Sequence, residues 1–258
     1  MAGRATIDKL KSDLAFAGLK RSLEVYYGDA SRDAAMDALY ARFLAPGQLA
    51  FDIGSHVGDR TGSFRRLGAR VVALEPQPLC ARAVRAIYAG DTAVTVVEAA
   101  CGPEPGTLTL RINSRNPTVT TASPDFVKAA RGAGGWEGQI WDEEIEVSVT
   151  TLDALIVEHG HPAFAKIDVE GFEADVLAGL SKPLAALSFE FTTIQRDIAV
   201  RCLDHLMSLG DYRFDVSLGE AQVLKFGRWV DATEMQLHIQ ALPHEANSGD
   251  IYCVLQCQ

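Results

Sequence analysis

Apolar residues in the first part of the chain recur at helical spacing. Leu10, Leu14, Phe16, Leu19, Leu23 and Tyr27 lie three to five positions apart or closer, so residues 5–45 read as helical. Gly28-Asp29 interrupts the run, and a second helix is expected over 33–44, ending before Pro46-Gly47. From residue 48 the pattern changes. Leu49 to Ile53, Arg70 to Glu75, Val94 to Glu98, Phe164 to Val169 and Ala186 to Phe191 are short apolar runs of the buried-strand type. Helical stretches near 57–67 and 78–89 separate the first three. Strands alternating with helices predict an α/β fold with a mostly parallel central sheet, covered on both faces. Tyr212 to Val216 and Ile251 to Leu255 are expected to pair as an antiparallel C-terminal hairpin closing one edge.

This pattern divides the chain into an N-terminal helical appendage (1–47) and one α/β domain (48–258) carrying an insertion at about 106–150. The appendage either packs over an open edge of the sheet or acts as a lid or dimer contact. The insertion contains an expected strand from Thr107 to Ile112, a polar glycine-rich stretch from Asn113 to Gly138, and an expected strand from Ile145 to Val149. A helix opens at Thr151. The middle stretch reads as too polar for core, and loops of this length are usually functional or disordered. Its Trp136 and Trp141 disfavour a plain linker and point to an acceptor pocket.

Composition narrows the function classes. At 258 residues and 48% hydrophobic content, the chain can bury one large core. A formal net charge of -10 disfavours a nucleic-acid partner. The five cysteines, Cys80, Cys101, Cys202, Cys253 and Cys257, form no C-x-x-C pair and no disulfide framework. The segment from Met1 to Leu10 has no apolar run of the signal-peptide kind. No stretch approaches the roughly 18 apolar residues of a membrane span. A cytoplasmic setting is therefore expected.

Four motifs carry candidate chemistry. Asp52, Gly54 and Gly58 form D-x-G-x-x-x-G where a strand hands over to a helix. Such a turn lies at the carboxyl end of the sheet, where open α/β sheets bind ligands. The dinucleotide fingerprint needs a second glycine where this chain has His56. A carboxylate at Asp52 repels a pyrophosphate and welcomes a cationic amine, so a cofactor with ammonium and sulfonium charges fits better. Glu75, ending the second strand before Pro76, suits the two hydroxyls of a ribose. Glu98-Ala99-Ala100-Cys101-Gly102 leaves room for a ring. In Lys166-Ile167-Asp168-Val169-Glu170 the charges alternate, so Lys166, Asp168 and Glu170 are expected on one side of a strand facing a polar site.

Phe51 to Gly58, Leu74-Glu75-Pro76-Gln77-Pro78, Thr151-Leu152-Asp153 and Lys166 to Glu173 together resemble the FkbM family of methyltransferases. Val176 to Leu180 and Phe189-Glu190 also match, and Gly249 to Tyr252 more loosely. The resemblance implies a class I methyltransferase (Rossmann-like) fold with S-adenosyl-L-methionine as cofactor. It implies mostly O-methylation of sugars, polyketides or other small hydroxylated acceptors. It implies a cofactor role for Asp52, Gly54, Gly58 and Glu75, extended here to Ser55, His56, Pro76, Glu98 and Ala99 from their places in the turns. It implies an active-site role for Lys166, Asp168 and Glu170. The stretch from Val84 to Gly90 and the insertion depart from the family pattern and leave the acceptor open.

Transfer to a hydroxyl calls for a general base. Asp168 and Glu170 are the candidates, with Lys166 holding a carboxylate and Glu190 in reserve. No histidine, cysteine or carboxylate spacing suggests a metal centre. Two rival readings stay open: an NAD-dependent oxidoreductase, and a non-catalytic binding protein on a methyltransferase fold.

Overall fold

The computed structural model describes residues 4–256. The chain opens with three helices, α1 (Arg4–Ser12), α2 (Lys20–Tyr26) and α3 (Ala30–Tyr40), with a 3-10 stretch over Leu14–Leu19. The long helix expected up to Tyr27 is thus broken. Asp13 stops it, because its side chain accepts from the Ala15 amide and caps the next turn. Asp29 does the same for α3 through the Ser31 amide, so that helix begins three residues earlier than expected. The apolar stripe of α1 and α2 is buried: Ile7, Leu10, Phe16, Leu19 and Leu23 cluster with Val57, Val84 and Tyr88 of the α/β body. Leu14, counted in that stripe from sequence, is 91% exposed.

The body alternates β1 (Leu49–Ile53), α4 (Asp59–Arg66), β2 (Arg70–Leu74), α5 (Pro78–Ile87) and β3 (Val94–Val97). Next come β4 (Ala100–Cys101), β5 (Gly106–Ile112), α6 (Pro124–Ala130), β6 (Glu143–Thr150) and α7 (Leu152–His159). The chain then runs through β7 (Phe164–Ile167), α8 (Glu173–Ala178), β8 (Ala186–Thr192), α9 (Arg196–Leu209), β9 (Tyr212–Leu218), α10 (Ala232–Ala241) and β10 (Ser248–Leu255). Seven strands form one sheet in the order β3-β2-β1-β7-β8-β10-β9. The pairs from β3 to β8 are parallel, and β10 is antiparallel to both β8 and β9. This is the expected mostly parallel sheet of a class I methyltransferase fold. The C-terminal pair is antiparallel as expected, but it is no simple hairpin. The connection carries α10, and β10 sits between β8 and β9, which leaves β9 at the edge.

All five residues of β1 are buried, as are all four of β7, which explains their continuous apolar runs. Strand order reverses between them: the chain leaves β1 for β2 and β3 on one side and returns to β7 and β8 on the other. That switch point opens a crevice at the carboxyl ends of β1 and β7.

β4, β5 and β6 form a second, three-stranded sheet above the crevice region. The stretch between β5 and β6 is not the coreless loop its polarity predicted. Ser123 accepts from the Phe126 amide and caps α6. Phe126, Val119, Ala130 and Trp136 are buried in a small core of their own. Phe126 meets Trp136 and Trp141 edge-on at 5.2 and 6.1 Å. The Trp141 indole N–H donates to the Val119 carbonyl at 2.8 Å. Phe126, Trp136 and Trp141 thus give a core to a stretch whose average composition is polar.

Cys80, Cys101, Cys202 and Cys253 are free and buried, and Cys257 lies outside the described residues, as do residues 1–3 of the N-terminal segment. Among the described residues no helix is long and apolar enough to cross a membrane.

Because Phe126 is fully buried, Phe126→Ala is expected to cost about 3–5 kcal/mol of stability. Denaturant unfolding checks this. A loss under about 0.5 kcal/mol, as for a surface substitution, would return the stretch to loop status.

Candidate active site

The turn after β1 is fixed by close packing. Asp168 donates its amide to the Ile53 carbonyl at 2.9 Å, which brings the end of β7 against the turn. A Cβ on Gly54, whose φ is +82°, would lie 1.8 Å from the Asp168 carbonyl oxygen. No other residue fits there. Gly58, at φ +80°, opens α4, and a Cβ there would meet the Tyr88 ring at 2.9 Å. The close approach expected at Gly58 is therefore made by the aromatic ring of Tyr88, just after α5. Tyr27 of the appendage donates its hydroxyl to the Val57 carbonyl at 2.8 Å, so the turn is held from above as well.

Asp52 is buried and accepts from the Thr61 hydroxyl. Burial pushes its carboxyl up to about 6. Glu75 is also buried, and its two oxygens accept from the His56 amide at 2.8 Å and the Gln77 amide at 2.9 Å. Burial outweighs those bonds and pushes Glu75 up to about 8. Burial holds His56 down, at about 4, so its ring is neutral near pH 7.

Two clefts open on this turn. The first is walled by Ile53, Leu74, Ala99, Leu110 and Phe172, with Glu75 and Pro76 at its side. The second carries the carboxyls of Asp52, Asp59, Asp168, Glu170, Glu190 and Glu220 against the cations Arg60 and Lys166. Gly54, His56, Thr118, Asp168 and Glu170 line both.

Lys166 is fully buried, with its Nζ 3.0 Å from Asp168 and 2.7 Å from Asp250. Burial alone would lower its pKa, and the Asp168 and Asp250 carboxylates reverse that and hold it well above its ordinary value. Burial likewise works against the Asp168 charge, and the Lys166 ammonium wins and keeps the carboxyl below its usual range. Burial and the nearby Asp168 charge push Glu170 and Glu190 well above theirs.

The alternation argument for Glu170 needs correction. β7 ends at Ile167, and Glu170 has φ +56° in a turn. Glu173 builds that turn by accepting from the Val169 and Gly171 amides, and Thr121 donates its hydroxyl to the Glu170 carbonyl at 2.6 Å. The turn, and no strand period, carries Glu170 to the same cleft as Lys166 and Asp168.

Of the remaining sequence candidates, Ser55 lies buried in the second cleft, and Pro76 and Ala99 line the first. The Glu98 side chain is exposed and pairs with Arg85, and Gly58 lines neither cleft. Sequence reasoning missed Tyr26, Arg60, Thr118, Glu220 and Asp250. Asp250 had a signal, since it lies in the Gly249 to Tyr252 stretch that resembles the family, and it sits on β10 in register with Glu190. Glu220 comes from the loop after β9 and is gripped by Arg32 at 2.8 Å and Arg60 at 3.0 Å, which no local pattern reveals.

A model of the methyltransferase FkbM domain matches residues 52–216. The chain belongs to the FkbM methyltransferase family. No curated protein sequence matches it. Among solved structures, it is similar to the precorrin-6y C5,15-methyltransferase of Geobacter metallireducens GS-15, with 14% identity, 88% of this chain and 87% of that chain covered, and a TM-score of 0.45. It is also similar to a TehB-like SAM-dependent methyltransferase of Corynebacterium glutamicum, with 10% identity, 86% and 88% covered, and a TM-score of 0.44.

The cofactor of this FkbM methyltransferase is S-adenosylmethionine, which sets aside the nicotinamide alternative. The clefts suit that molecule. An apolar cleft ending at a buried carboxyl matches a nucleoside, and the adjoining charged cleft matches an amino-acid end with both signs of charge.

The Glu220 grip makes a stability prediction for the methyltransferase. Glu220 is half-exposed, and partial desolvation works against its charge, but Arg60 and Arg32 hold the carboxyl at about 2. A depressed carboxyl stabilises the fold above its unfolded value, ~4.3, and loses that contribution as pH falls towards the folded value. Wild type is expected to melt above Glu220→Gln at pH 7, with the gap closing between pH about 4.3 and about 2. A gap that stays constant with pH would dismiss the ion pairs as its source.

Proposed function

We propose that this methyltransferase methylates a hydroxyl oxygen of a small-molecule or glycan acceptor. One observation carries the reading: the apolar and the charged cleft share a wall, and Asp168 and Glu170 stand on it. In this reading Ala99, Pro76 and Phe172 hold the adenine and Glu75 the ribose. Gly54, Ser55 and His56 hold the amino-acid end, with Asp52 beneath them. When bound, the cofactor supplies an electrophilic methyl on a cationic sulfur.

The residues of the shared wall do the rest. A hydroxyl is a poor nucleophile, and a positioned base contributes roughly 10²–10⁴-fold. Asp168 is the carboxyl that Lys166 keeps ionised, and it accepts the hydroxyl proton. Glu170, which retains its own proton, orients the acceptor by hydrogen bonding. Lys166 is a positioning residue, since its ammonium is spent on Asp168 and Asp250. Tyr26 from the appendage (1–47) and Thr118 from the insertion close the cavity and restrict acceptor shape. Orientation of the two reactants supplies much of the remaining rate.

Two measurements test this. Glu75 holds a proton near pH 7, because burial puts its carboxyl at about 8. Ribose hydroxyls favour its ionised form, so cofactor binding is expected to release a proton, and affinity to rise with pH up to about 8. Glu75→Gln abolishes the proton release and weakens binding by about 1.5–3 kcal/mol. Calorimetry in buffers of different ionisation heat reads both, and unchanged values remove Glu75 from the site. For the base, Asp168→Asn is expected to cut turnover about 100-fold or more while cofactor affinity falls far less. Equal loss of both would make Asp168 a cofactor ligand only.

A further inference from the structure

Two arginines meet at the charged cleft. Arg32 comes from α3 of the appendage and Arg60 from the start of α4, and their side chains are only 12% and 10% exposed. They share two carboxylates. Asp59 is buried and accepts one bond from each, at 2.9 and 2.8 Å. Glu220 accepts from Arg32 at 2.8 Å and from Arg60 at 3.0 and 3.1 Å, yet its side chain is 51% exposed. The cations are thus built into helices, while one of their two counterions reaches in from a surface loop. Gly219, Glu220 and Ala221 are all exposed, and Gln222 stands at φ +54°, a conformation unfavourable for a residue with a side chain. A second observation is independent of Glu220. Arg60 is buried, and its Nε has no partner, so the guanidinium holds a donor that neither carboxylate uses. Arg60 and Glu220 line the same cavity as Asp168.

We propose that Arg32 and Arg60 form a carboxylate subsite for the acceptor, and that Glu220 fills it in the free enzyme until an acceptor bearing both a hydroxyl and a carboxylate displaces it. Planar guanidiniums bind carboxylates through paired N–H donors, so one carboxylate can take the place of another. Losing Glu220 with nothing in exchange would leave two buried guanidiniums with Asp59 alone, a costly excess of charge. A neutral acceptor therefore cannot open the subsite, and an anionic one can. Glu220 returns to water as it leaves, since half of it is already there. The other acids of the cavity do not bar an anion. Lys166 meets Asp168, and burial together with the Asp168 charge favours the neutral forms of Glu170 and Glu190. The rival account makes Glu220 a permanent structural partner. The proposal rests on the methyl-transfer reading in assigning the ligand to the acceptor, but its test reads carboxylate binding without turnover.

The test uses the full chain, with acetate as the probe, titrated at constant ionic strength and read by saturation-transfer nuclear magnetic resonance on its methyl group. Glu220→Ala is expected to bind acetate about tenfold or more tighter than wild type, because a Glu220 that fills the subsite over about nine-tenths of the time hides it by that factor. Acetamide, of the same shape without the charge, is expected not to compete. Adding Arg32→Gln to Glu220→Ala is expected to weaken acetate about tenfold or more. Equal affinity in wild type and Glu220→Ala, no saturable binding by either, or displacement by acetamide overturns the proposal. Saturating S-adenosylhomocysteine is expected to change the acetate affinity less than about threefold, as for uncoupled sites. Loss of acetate binding there would give the subsite to the carboxylate of the cofactor and overturn its assignment to the acceptor. Circular dichroism confirms folding. If Glu220→Ala is unfolded, Glu220→Gln takes its place, with acetate expected about threefold or more tighter than in wild type, since a neutral amide competes less well than a carboxylate. The Asp168→Asn turnover measurement bears on the methyl-transfer reading separately.

Discussion

The ammonium of Lys166 sits in the middle of the sheet with no access to water, and it is tolerated because two carboxylates meet it. A buried charge without partners would neutralise or unfold its surroundings. Asp168 and Asp250 supply those partners from opposite halves of the sheet. Asp168 follows β7 in the parallel half, and Asp250 lies on β10, the antiparallel strand beyond β8. The ion triad therefore ties the parallel strands of the sheet to its antiparallel C-terminal pair. It also fixes which acid stays charged, since Asp168 gains the ammonium and its neighbours Glu170 and Glu190 do not.

The contrast between the two clefts follows from this. Short apolar side chains at the ends of β1 and β2 leave a dry slot beside Glu75. The ends of β7 and β8 bring carboxyls into a partly enclosed cavity where burial strengthens charge interactions. Gly54 has no side chain, and Asp168 packs directly on its backbone at the wall the two clefts share.

What could be read in the sequence was local. The strands β1, β2, β7 and β8 announced themselves as unbroken apolar runs, because strands buried on both faces have no polar side to alternate with. The glycine turn was legible because only glycine satisfies both a positive φ and a contact of 1.8 Å. What escaped depends on contacts distant in sequence. Phe126 and Trp136 looked isolated in a polar stretch and form a core only when the chain folds back on itself. Glu170 was placed by strand alternation, yet a positive-φ turn built by Glu173 aims it. Glu220 and Tyr26 reach the second cleft from the loop after β9 and the end of α2, and their side chains carry no periodic mark of that destination.

The joint between the insertion and the turn at Glu170 has an evolutionary consequence. Thr121 bonds the Glu170 carbonyl, and Phe126 packs so closely on Gly171 that a Cβ there would come within 2.7 Å of its ring. The insertion is therefore no freely exchangeable module. Residues that face outward from it are free to change, whereas the few that grip the turn are bound to the position of Glu170. A chimera that transplants a foreign loop between β5 and β6 keeps the turn at Glu170 only if a hydroxyl and an aromatic ring arrive at those same two places.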